Sequence, residues 1–534
     1  MCGFGTVLSY IKTLQTLMFD ICIIGSGPSA VISAKSFVDK GFKTCLIDGG
    51  VDNDQPTITP RHFSEQLYPE ADFVLPIDDP ALNDDSGSSQ LTKARLHLTK
   101  YVAQHLKISS DNFSPLQTLA TGGLSAAWGA ACFTYSKADQ QRASLQDLQT
   151  NYDDVAKIIG ISGPNLSHFC ATQHKQPPAQ LDHNGKSLLG RKVKNLILEH
   201  SSMAMLTQKL DGREPNPYFD MDFYSNFGDS IFRSEQLLKN LMQSPNFTRI
   251  QGGLAIHFKE SNNQVTIKYI HLQSNASFEV TAHKLIICGG AINSYRLVAN
   301  SLNCFHQPNP ILTNPYLMIP TIHLPNLGKK GEHLRHSLSQ VFAEFDRPDS
   351  PTLQFYSYRA LLLSRLIAQT PVPPFFARLL WRSLVESLVI VGTHFADDGT
   401  SPRSIHAEPQ ELLPALTIDF PHPKISGVTS VLANLLKLRC LPIGIVKTKM
   451  GDSRHYAGTM PISEPGQFPI GMNAQGLIHA TKNVYGFDSA GWTYLPSRGL
   501  TLTIMANARR LSIKLMEEMC ESQFQEQTVL SAAS

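Results

Sequence analysis

The first regular pattern along the chain is an apolar run followed by spaced glycines. Residues 21–24 are all apolar, which predicts a strand buried on both faces. Gly25, Gly27 and Ala30 then give a G-x-G-x-x-A pattern. In such a pattern the first glycine permits a tight turn, the second lets the backbone approach a pyrophosphate, and the small third residue lets the helix pack closely. We therefore predict a strand, a turn and a helix that bind a dinucleotide.

The residues that follow continue this dinucleotide-binding pattern. Residues 30–38 are typical of a helix, whose N-terminus carries a partial positive charge that favours phosphate. A second apolar strand over 44–47 ends at Asp48, the expected place for a carboxylate that hydrogen-bonds a ribose hydroxyl. This acid argues against a 2′-phosphate, but the turn alone does not separate FAD from NAD.

Four more blocks contain glycines, three of them beside apolar segments. Residues 121–135 read TGGLSAAWGAACFTY, which alone would suit a helix start rich in glycine and alanine. Residues 285–298 read LIICGGAINSYRLV, which predicts a strand, a glycine turn and a helix start. Residues 483–505 read NVYGFDSAGWTYLPSRGLTLTIM, and a short HYAGT block begins at His455.

Composition and charge narrow the class of protein. A chain of 534 residues is long for one compact core, so we expect two or more domains. The formal net charge of +2 gives no electrostatic case for binding nucleic acid. Nine cysteines without C-x-x-C spacing predict buried, reduced thiols and no metal site. Residues 1–17 lack the features of an export signal, so we expect a cytoplasmic protein.

Taken in order, the blocks resemble the glucose–methanol–choline (GMC) oxidoreductase family. GSGPSA matches the family's first FAD turn, and GGLSAAWG is similar to its GG-x-S-x-x-(N/W)-G flavin loop, closest to pyranose-oxidase-like members. HYAGT matches H-x-x-G-T, and the last block aligns without a gap with the family segment that ends in T-L-T-I-M-A. Residues 300–445 carry no motif of the family.

The resemblance implies an α/β fold class. We expect a doubly wound, Rossmann-like FAD-binding domain assembled from discontinuous segments, and a substrate domain with an antiparallel sheet and covering helices. The FAD-binding domain would take residues 18–300 and 450–525, with 60–115 and 140–230 partly insertions. The substrate domain would take residues 300–450.

The resemblance also implies a reaction, the FAD-dependent oxidation of an alcohol, with a carbohydrate or polyol as the expected substrate. His455 would take the hydroxyl proton while hydride passes to flavin N5, and histidine suits this role because its ordinary pKa lies near neutrality. The electron acceptor stays open between oxygen and another molecule. The residues predicted to contact FAD are Gly25, Gly27, Pro28, Ser29, Ala30, Asp48, Gly122, Gly123, Ser125, Trp128, Gly290, Asp488 and Thr501.

The final block departs from the family at one catalytic position. Gly499 stands where the family has a second histidine or an asparagine, and glycine has no side-chain donor. We hypothesise that Arg498 supplies the missing donor, although an arginine would not act as a base. Otherwise another loop supplies it or catalysis is weakened. In the last case the chain would be a flavin-binding subunit or scaffold of a biosynthetic assembly.

The flavin loop departs from the pyranose oxidase pattern as well. Ala127 occupies the position of the histidine that bonds covalently to the flavin there, so we predict non-covalent FAD. An NAD-linked flavin reductase would need a second nucleotide-binding turn. The later glycine pair at Gly289 and Gly290 lacks the required spacing.

The middle of the chain contains an apolar and basic stretch, residues 359–391. Prolines between 371 and 374 divide it into two helical pieces. Such a basic, amphipathic pair can lie on an anionic membrane surface as a peripheral contact. The alternative is that its apolar faces cap the substrate domain or form a dimer contact, since apolar helical stripes usually belong to a core.

Overall fold

The structure is a computed structural model that describes residues 18–54, 93–220, 222, 225–329, 332, 334–357, 367, 370–421 and 425–533. Its strands are β1 (Met18–Ile24), β2 (Thr44–Asp48), β3 (Ile108–Ser109), β4 (Leu196–His200), β5 (Phe247–Gln251), β6 (Gly253–Ser261), β7 (Gln264–His271), β8 (Ser277–Ile287), β9 (Tyr316–His323), β10 (Val341–Phe345), β11 (Thr352–Tyr356), β12 (Leu388–His394), β13 (Ser404–Glu408), β14 (Ala415–Asp419), β15 (Cys440–Pro442), β16 (Val446–Lys447) and β17 (Val484–Gly486). Its α-helices are α1 (Pro28–Val38), α2 (Val102–His105), α3 (Lys137–Arg142), α4 (Gln149–Ile159), α5 (His183–Leu189), α6 (Ser234–Leu241), α7 (Ala291–Ser301), α8 (Pro374–Leu384), α9 (Val428–Lys437) and α10 (Thr501–Ala533).

The first sheet joins strands from the beginning and the end of the chain. Its strand order is β5-β2-β1-β8-β7-β6, and β17 pairs with β8. The segment β5-β2-β1-β8 and the β17 pairing are parallel, whereas β6, β7 and β8 form an antiparallel meander. The predicted doubly wound, mostly parallel domain built from discontinuous segments is therefore confirmed.

Strand β1 is buried on both faces, as its unbroken apolar sequence predicted. Ile21 and Ile23 belong to the core that packs against α1, α4 and α10. Cys22 lies between them and belongs to the second core, with α7. Because successive side chains of a strand point to opposite faces, this short run ties together the helical layers on both sides of the sheet.

The second sheet is antiparallel, with the order β15-β9-β12-β11-β10-β4, and β16 also pairs with β9. Alternate residues such as Ile319, Val389 and Val391 pack into a core with helices α5 and α9. The residues between them form the opposite face, which lines a cavity. The predicted antiparallel sheet with covering helices is confirmed. One of its strands, β4, comes from residues 140–230, which the sequence analysis treated as partly an insertion in the FAD-binding domain.

A third, smaller sheet has the order β13-β14-β3. Within the described part of the chain, no helix combines the length and the apolar character needed to cross a membrane. Much of the apolar and basic stretch, residues 358–366 and 368–369, lies outside the described residues. Its second helical piece is described as α8.

Candidate active site

A cavity of about 600 Å³ lies between the first two sheets. One wall comes from the carboxyl ends of β1, β2 and β8, and the other from the face of the antiparallel sheet. In open α/β sheets this edge is where ligands bind. The sequence-predicted residues that line the cavity are Gly25, Gly27, Pro28, Ser29, Asp48, Gly123, Ser125, Trp128, Gly290, His455, Asp488 and Thr501. Blocks far apart in sequence thus meet at one place.

The first two glycines of the turn have different physical roles. Gly25 has a φ of +101°, and a Cβ there would lie 2.5 Å from the carbonyl oxygen of Cys288. Only glycine fits this contact without moving the neighbouring strand. Gly27 faces the cavity, and a Cβ on it would meet nothing within 4 Å. The absence of a side chain at Gly27 therefore leaves room for a ligand and is not needed for protein packing.

The electrostatics of the cavity favour an anion. Three helices, α1, α7 and α10, begin at its wall, and none has an acidic residue in its first turn. Their partial positive charges add together there. Arg296 also lines the cavity while buried, and its guanidinium donates to neutral oxygen acceptors on Lys107, Pro414 and Gln117. Burial lowers its pKa to about 9. These residues fit the pyrophosphate of a dinucleotide such as FAD.

Two predicted carboxylates lie on the cavity wall with defined partners. Arg249 donates to both oxygens of Asp48, at 3.0 and 2.9 Å, and so fixes the orientation of this carboxylate. Asp488 accepts from the Ser294 hydroxyl at 2.5 Å and from the Ala490 amide at 2.9 Å. Burial raises the pKa of Asp488. It therefore caps the short helical turn that follows it and also lines the cavity, as the sequence allowed.

The flavin-loop residues are held by their own hydrogen bonds. The Ser125 hydroxyl donates to the Gly122 carbonyl at 2.6 Å, and the Trp128 indole donates to the Phe232 carbonyl at 2.7 Å. Ala127 lies on the wall and offers no nucleophile, so non-covalent attachment stays a prediction. Two predicted residues, Ala30 and Gly122, lie outside the lining: Ala30 is fully buried in the core, and the Gly122 amide donates to the Ser26 hydroxyl.

His455 is held as a neutral imidazole with a defined tautomer. The Asn314 amide nitrogen donates to the carbonyls of Phe395 and Pro496, so its oxygen faces Nδ1 of His455 at 2.8 Å. Nδ1 must therefore carry the proton, and Nε2 keeps its lone pair. Burial lowers the pKa of His455 to about 4, so it is uncharged at neutral pH. This state is the one that a general base needs.

A second histidine that the sequence did not suggest stacks on His455. His394, the last residue of β12, lies with its ring centroid 5.0 Å from that of His455 and an interplanar angle of 17°. The Tyr356 hydroxyl donates to the Gln354 amide oxygen, so the Gln354 nitrogen faces Nδ1 of His394 at 3.5 Å. The His394 proton then lies on Nε2. Burial and the neighbouring His455 lower the pKa of His394 well below its ordinary value.

The two imidazoles are therefore complementary. One offers a proton acceptor at Nε2 and the other a proton donor at Nε2, and both line the same cavity. The sequence showed only an apolar run ending in histidine over residues 388–394, which carries no motif. His394 could be found only once the antiparallel sheet placed it.

The structure explains why glycine stands at position 499. A Cβ on Gly499 would lie 3.1 Å from a ring carbon of Phe133, which is fully buried. Phe133 stacks on Phe342 at 4.4 Å and packs against Phe169. Any side chain at 499 would require the buried Phe133 ring to shift by a few tenths of an ångström, which close-packed interiors resist.

Arg498 binds other protein residues, although we expected its guanidinium to supply the donor that is missing at Gly499. Its guanidinium donates to the Glu344 carboxylate at 2.6 Å and to the Thr134 carbonyl at 3.1 Å, and Arg498 lies outside the described lining. Burial alone would raise the pKa of Glu344, but hydrogen bonding to His168 and the Arg498 charge hold it below its usual value. The geometry thus assigns Arg498 to a buried ion pair that joins the final block to β10.

Comparisons with known proteins agree with the fold. No protein-family model and no curated protein matches the chain. Among solved structures, it is similar to pyridoxine 4-oxidase from Mesorbium loti, with a TM-score of 0.57 and 15% sequence identity. The match covers 93% of this chain and 99% of that one. At this identity the likeness establishes the fold, an α/β fold that this chain shares with an oxidase.

We predict that Gly27→Val weakens flavin binding without unfolding the protein. The added side chain would enter open cavity space, so the fold should keep its stability while the space for a pyrophosphate is lost. Flavin affinity should fall at least about tenfold. The measurement is flavin content after reconstitution, with the thermal midpoint of the flavin-free protein.

Gly444→Val is the matched control for Gly27→Val, because a Cβ on Gly444 also meets nothing within 4 Å and it lies outside the cavity lining. It should keep full flavin content. Normal flavin binding by Gly27→Val would contradict the placement of the dinucleotide.

We predict that Arg498→Met destabilises the protein by about 3–5 kcal/mol, because it leaves the buried Glu344 carboxylate without its cation. Urea unfolding measures this change. The double variant Arg498→Met/Glu344→Gln should recover part of the loss, since both charges are then absent. A large loss of flavin reduction by an alcohol at unchanged stability would instead support the donor role hypothesised for Arg498.

Proposed function

We propose that this protein is an FAD-dependent oxidoreductase that oxidises an alcohol to a carbonyl. The observation that carries the proposal is the meeting of all five sequence blocks at one cavity, with the His455–His394 pair on its wall. The resemblance to GMC oxidoreductases and the fold shared with pyridoxine 4-oxidase support the same chemistry. Gly25, Gly27, Asp48 and the start of α10 would hold the FAD.

The two histidines have different roles toward the substrate hydroxyl. Nε2 of His455 accepts the hydroxyl proton, and Nε2–H of His394 donates a hydrogen bond to the same oxygen as its negative charge develops. FAD, when bound, supplies the acceptor for the hydride that leaves the carbinol carbon. The alcohol thereby loses one proton and one hydride and becomes a carbonyl compound. His394 takes the place of the donor that Gly499 cannot supply.

The cavity lining favours an alcohol attached to an aromatic or aliphatic group. Besides His394, the sheet contributes the apolar side chains of Met318, Pro320, Ile390 and Val446 to the wall, together with the polar side chains of Tyr316, Gln354 and Tyr356. The apolar part of such an alcohol would pack against these apolar side chains, whereas a sugar would find hydrogen-bond partners only at the polar positions of the wall. We therefore place apolar alcohols ahead of the carbohydrate or polyol expected from the sequence.

The proposal predicts that alcohols bleach the bound flavin. Purified protein with FAD should show a flavin spectrum, and anaerobic addition of a panel of aromatic, aliphatic and sugar alcohols, with pyridoxine included, should reduce it. His455→Ala should slow this reduction by about 10²–10⁴-fold, because the general base is lost. His394→Phe should slow it by about 10²-fold through loss of one donor, and His394→Asn should recover part of the rate.

The same experiment separates the alternatives. Bleaching by NADH but by no alcohol would indicate a reductase. Flavin binding without bleaching by any donor would favour a subunit or scaffold with little turnover. Hydrogen peroxide formed on admission of air would identify oxygen as the acceptor.

The pH dependence gives an independent test of the histidine pair. Because burial holds the pKa of His455 at about 4, the base stays unprotonated across the neutral range. Flavin reduction should therefore be flat from neutral pH down to about pH 5 and fall as pH approaches 4. An acid limb near the ordinary histidine pKa of about 6.5 would contradict the buried, neutral pair.

A further inference from the structure

Helix α8 presents its apolar side outward. Phe375 is 71% exposed, and Phe376, Leu379 and Leu380 are also exposed. These four residues follow the i, i+1, i+4, i+5 spacing of one helix face. On the other side Ala377 is fully buried and Trp381 is half-buried. A surface helix of a soluble domain normally has the opposite arrangement, so this face is suited to a partner.

A second exposed apolar segment lies beside the same sheet. The loop after α9 exposes Leu441, Ile443, Ile445 and Val446 as it runs along the edge of β9. Val446 is 46% exposed and also lines the active-site cavity. An apolar surface therefore continues from the outside of the protein into the cavity.

The topology brings both segments to the strands that form the cavity wall. Helix α8 leads through a short turn into β12, whose first residue, Leu388, pairs with Ile322 of β9. The loop pairs with the other side of β9, from Cys440 opposite His323 to Val446 opposite Met318. Both exposed segments therefore adjoin the same end of β9, since Leu388 and Leu441 each pair with Ile322.

The charged residues within these two segments are cations. In the sequence, residues 358–385 contain four arginines and no Asp or Glu, and residues 425–451 contain four lysines or arginines and again no acid. Arg378, Lys437, Arg439 and Lys449 are exposed in the structure. The whole chain is nearly balanced, with 46 basic and 44 acidic residues, so this segregation is local.

We propose that α8 and the 441–446 loop form a docking surface for an anionic phospholipid bilayer. Apolar side chains would enter the interface between headgroups and acyl chains, while the flanking cations attract anionic lipid. A second copy of the chain fits less well, because it would bring like charges together across the contact. On the basis of the function proposed above, the cavity would receive an amphiphilic alcohol from the lipid through its apolar wall.

Vesicle co-sedimentation of the full-length, flavin-loaded protein tests the proposal. The protein should bind vesicles of phosphatidylcholine with phosphatidylserine at low salt. Binding should weaken about tenfold at moderate salt or on pure phosphatidylcholine. Phe375→Ala/Phe376→Ala/Leu380→Ala should lower the partition coefficient at least about tenfold, because the two largest inserted side chains and one leucine are truncated.

Matched controls distinguish binding through this surface from nonspecific adsorption to vesicles. Leu166→Ala/Met242→Ala truncates two exposed apolar side chains that lie elsewhere, and this variant should bind vesicles as the wild type does. Lys437→Glu should weaken binding to anionic vesicles, whereas Lys192→Glu, also an exposed lysine, should not. The proposal is overturned if the triple variant and the Leu166→Ala/Met242→Ala variant reduce vesicle binding equally, or if the two lysine variants do.

The remaining outcomes are also decisive. Absence of binding to anionic vesicles at low salt overturns the docking surface, and a dimer in sedimentation velocity that the triple variant dissociates would then identify a second copy as the occupant. Bleaching by a water-soluble alcohol is measured in the same preparation. Vesicle binding without bleaching would remove the proposed reaction and leave the docking surface intact.

Discussion

The register around β8 is the constraint on which the site depends. Ile287 pairs with Ile24 of β1 and with Gly486 of β17. The first and the last strand of this sheet therefore end at the same level beside β8. The ladder continues past the strands, because the Cys288 amide donates to the Ile24 carbonyl and the Phe487 amide to the Ile287 carbonyl. Buried backbone groups must be paired, so a shift of β1 or β17 by one residue along β8 is excluded. The first and last sequence blocks therefore face the same cavity.

The sequence predicted those parts of the fold whose signals are local. The strand, turn and helix from Met18 to Val38 could be recognised because apolar runs and glycine positions act within a few residues. The two-sheet architecture followed from the resemblance of the blocks. Strand β4 could not be assigned to the second sheet, because its pairing with β10 joins segments more than a hundred residues apart. Long-range pairing leaves no periodic signal in the sequence.

The candidate site shows the same division between local and tertiary information. The cavity-lining glycines and His455 were predicted, whereas His394 reaches the site only through the pairing of β12 with β9 and β11. The aromatic cluster of Phe133, Phe169 and Phe342 occupies the space beside Gly499. The ion pair of Arg498 with Glu344 could not be predicted either, because β10 lies far from the final block in sequence. The donor role hypothesised for Arg498 stays a prediction.

The cavity face of the antiparallel sheet changes in character along its strands. At one end it presents His394 with Gln354, and toward the other end Ile390 with Pro320. Since residues two apart on a strand share a face, one set of alternate positions builds both the polar and the apolar part of the wall. In the proposed reaction, an alcohol with its hydroxyl at the histidines would lay the rest of its structure along this wall, past Ile390 and Tyr356. The proposed orientation would direct the apolar part of the alcohol toward the exposed segments beside β9.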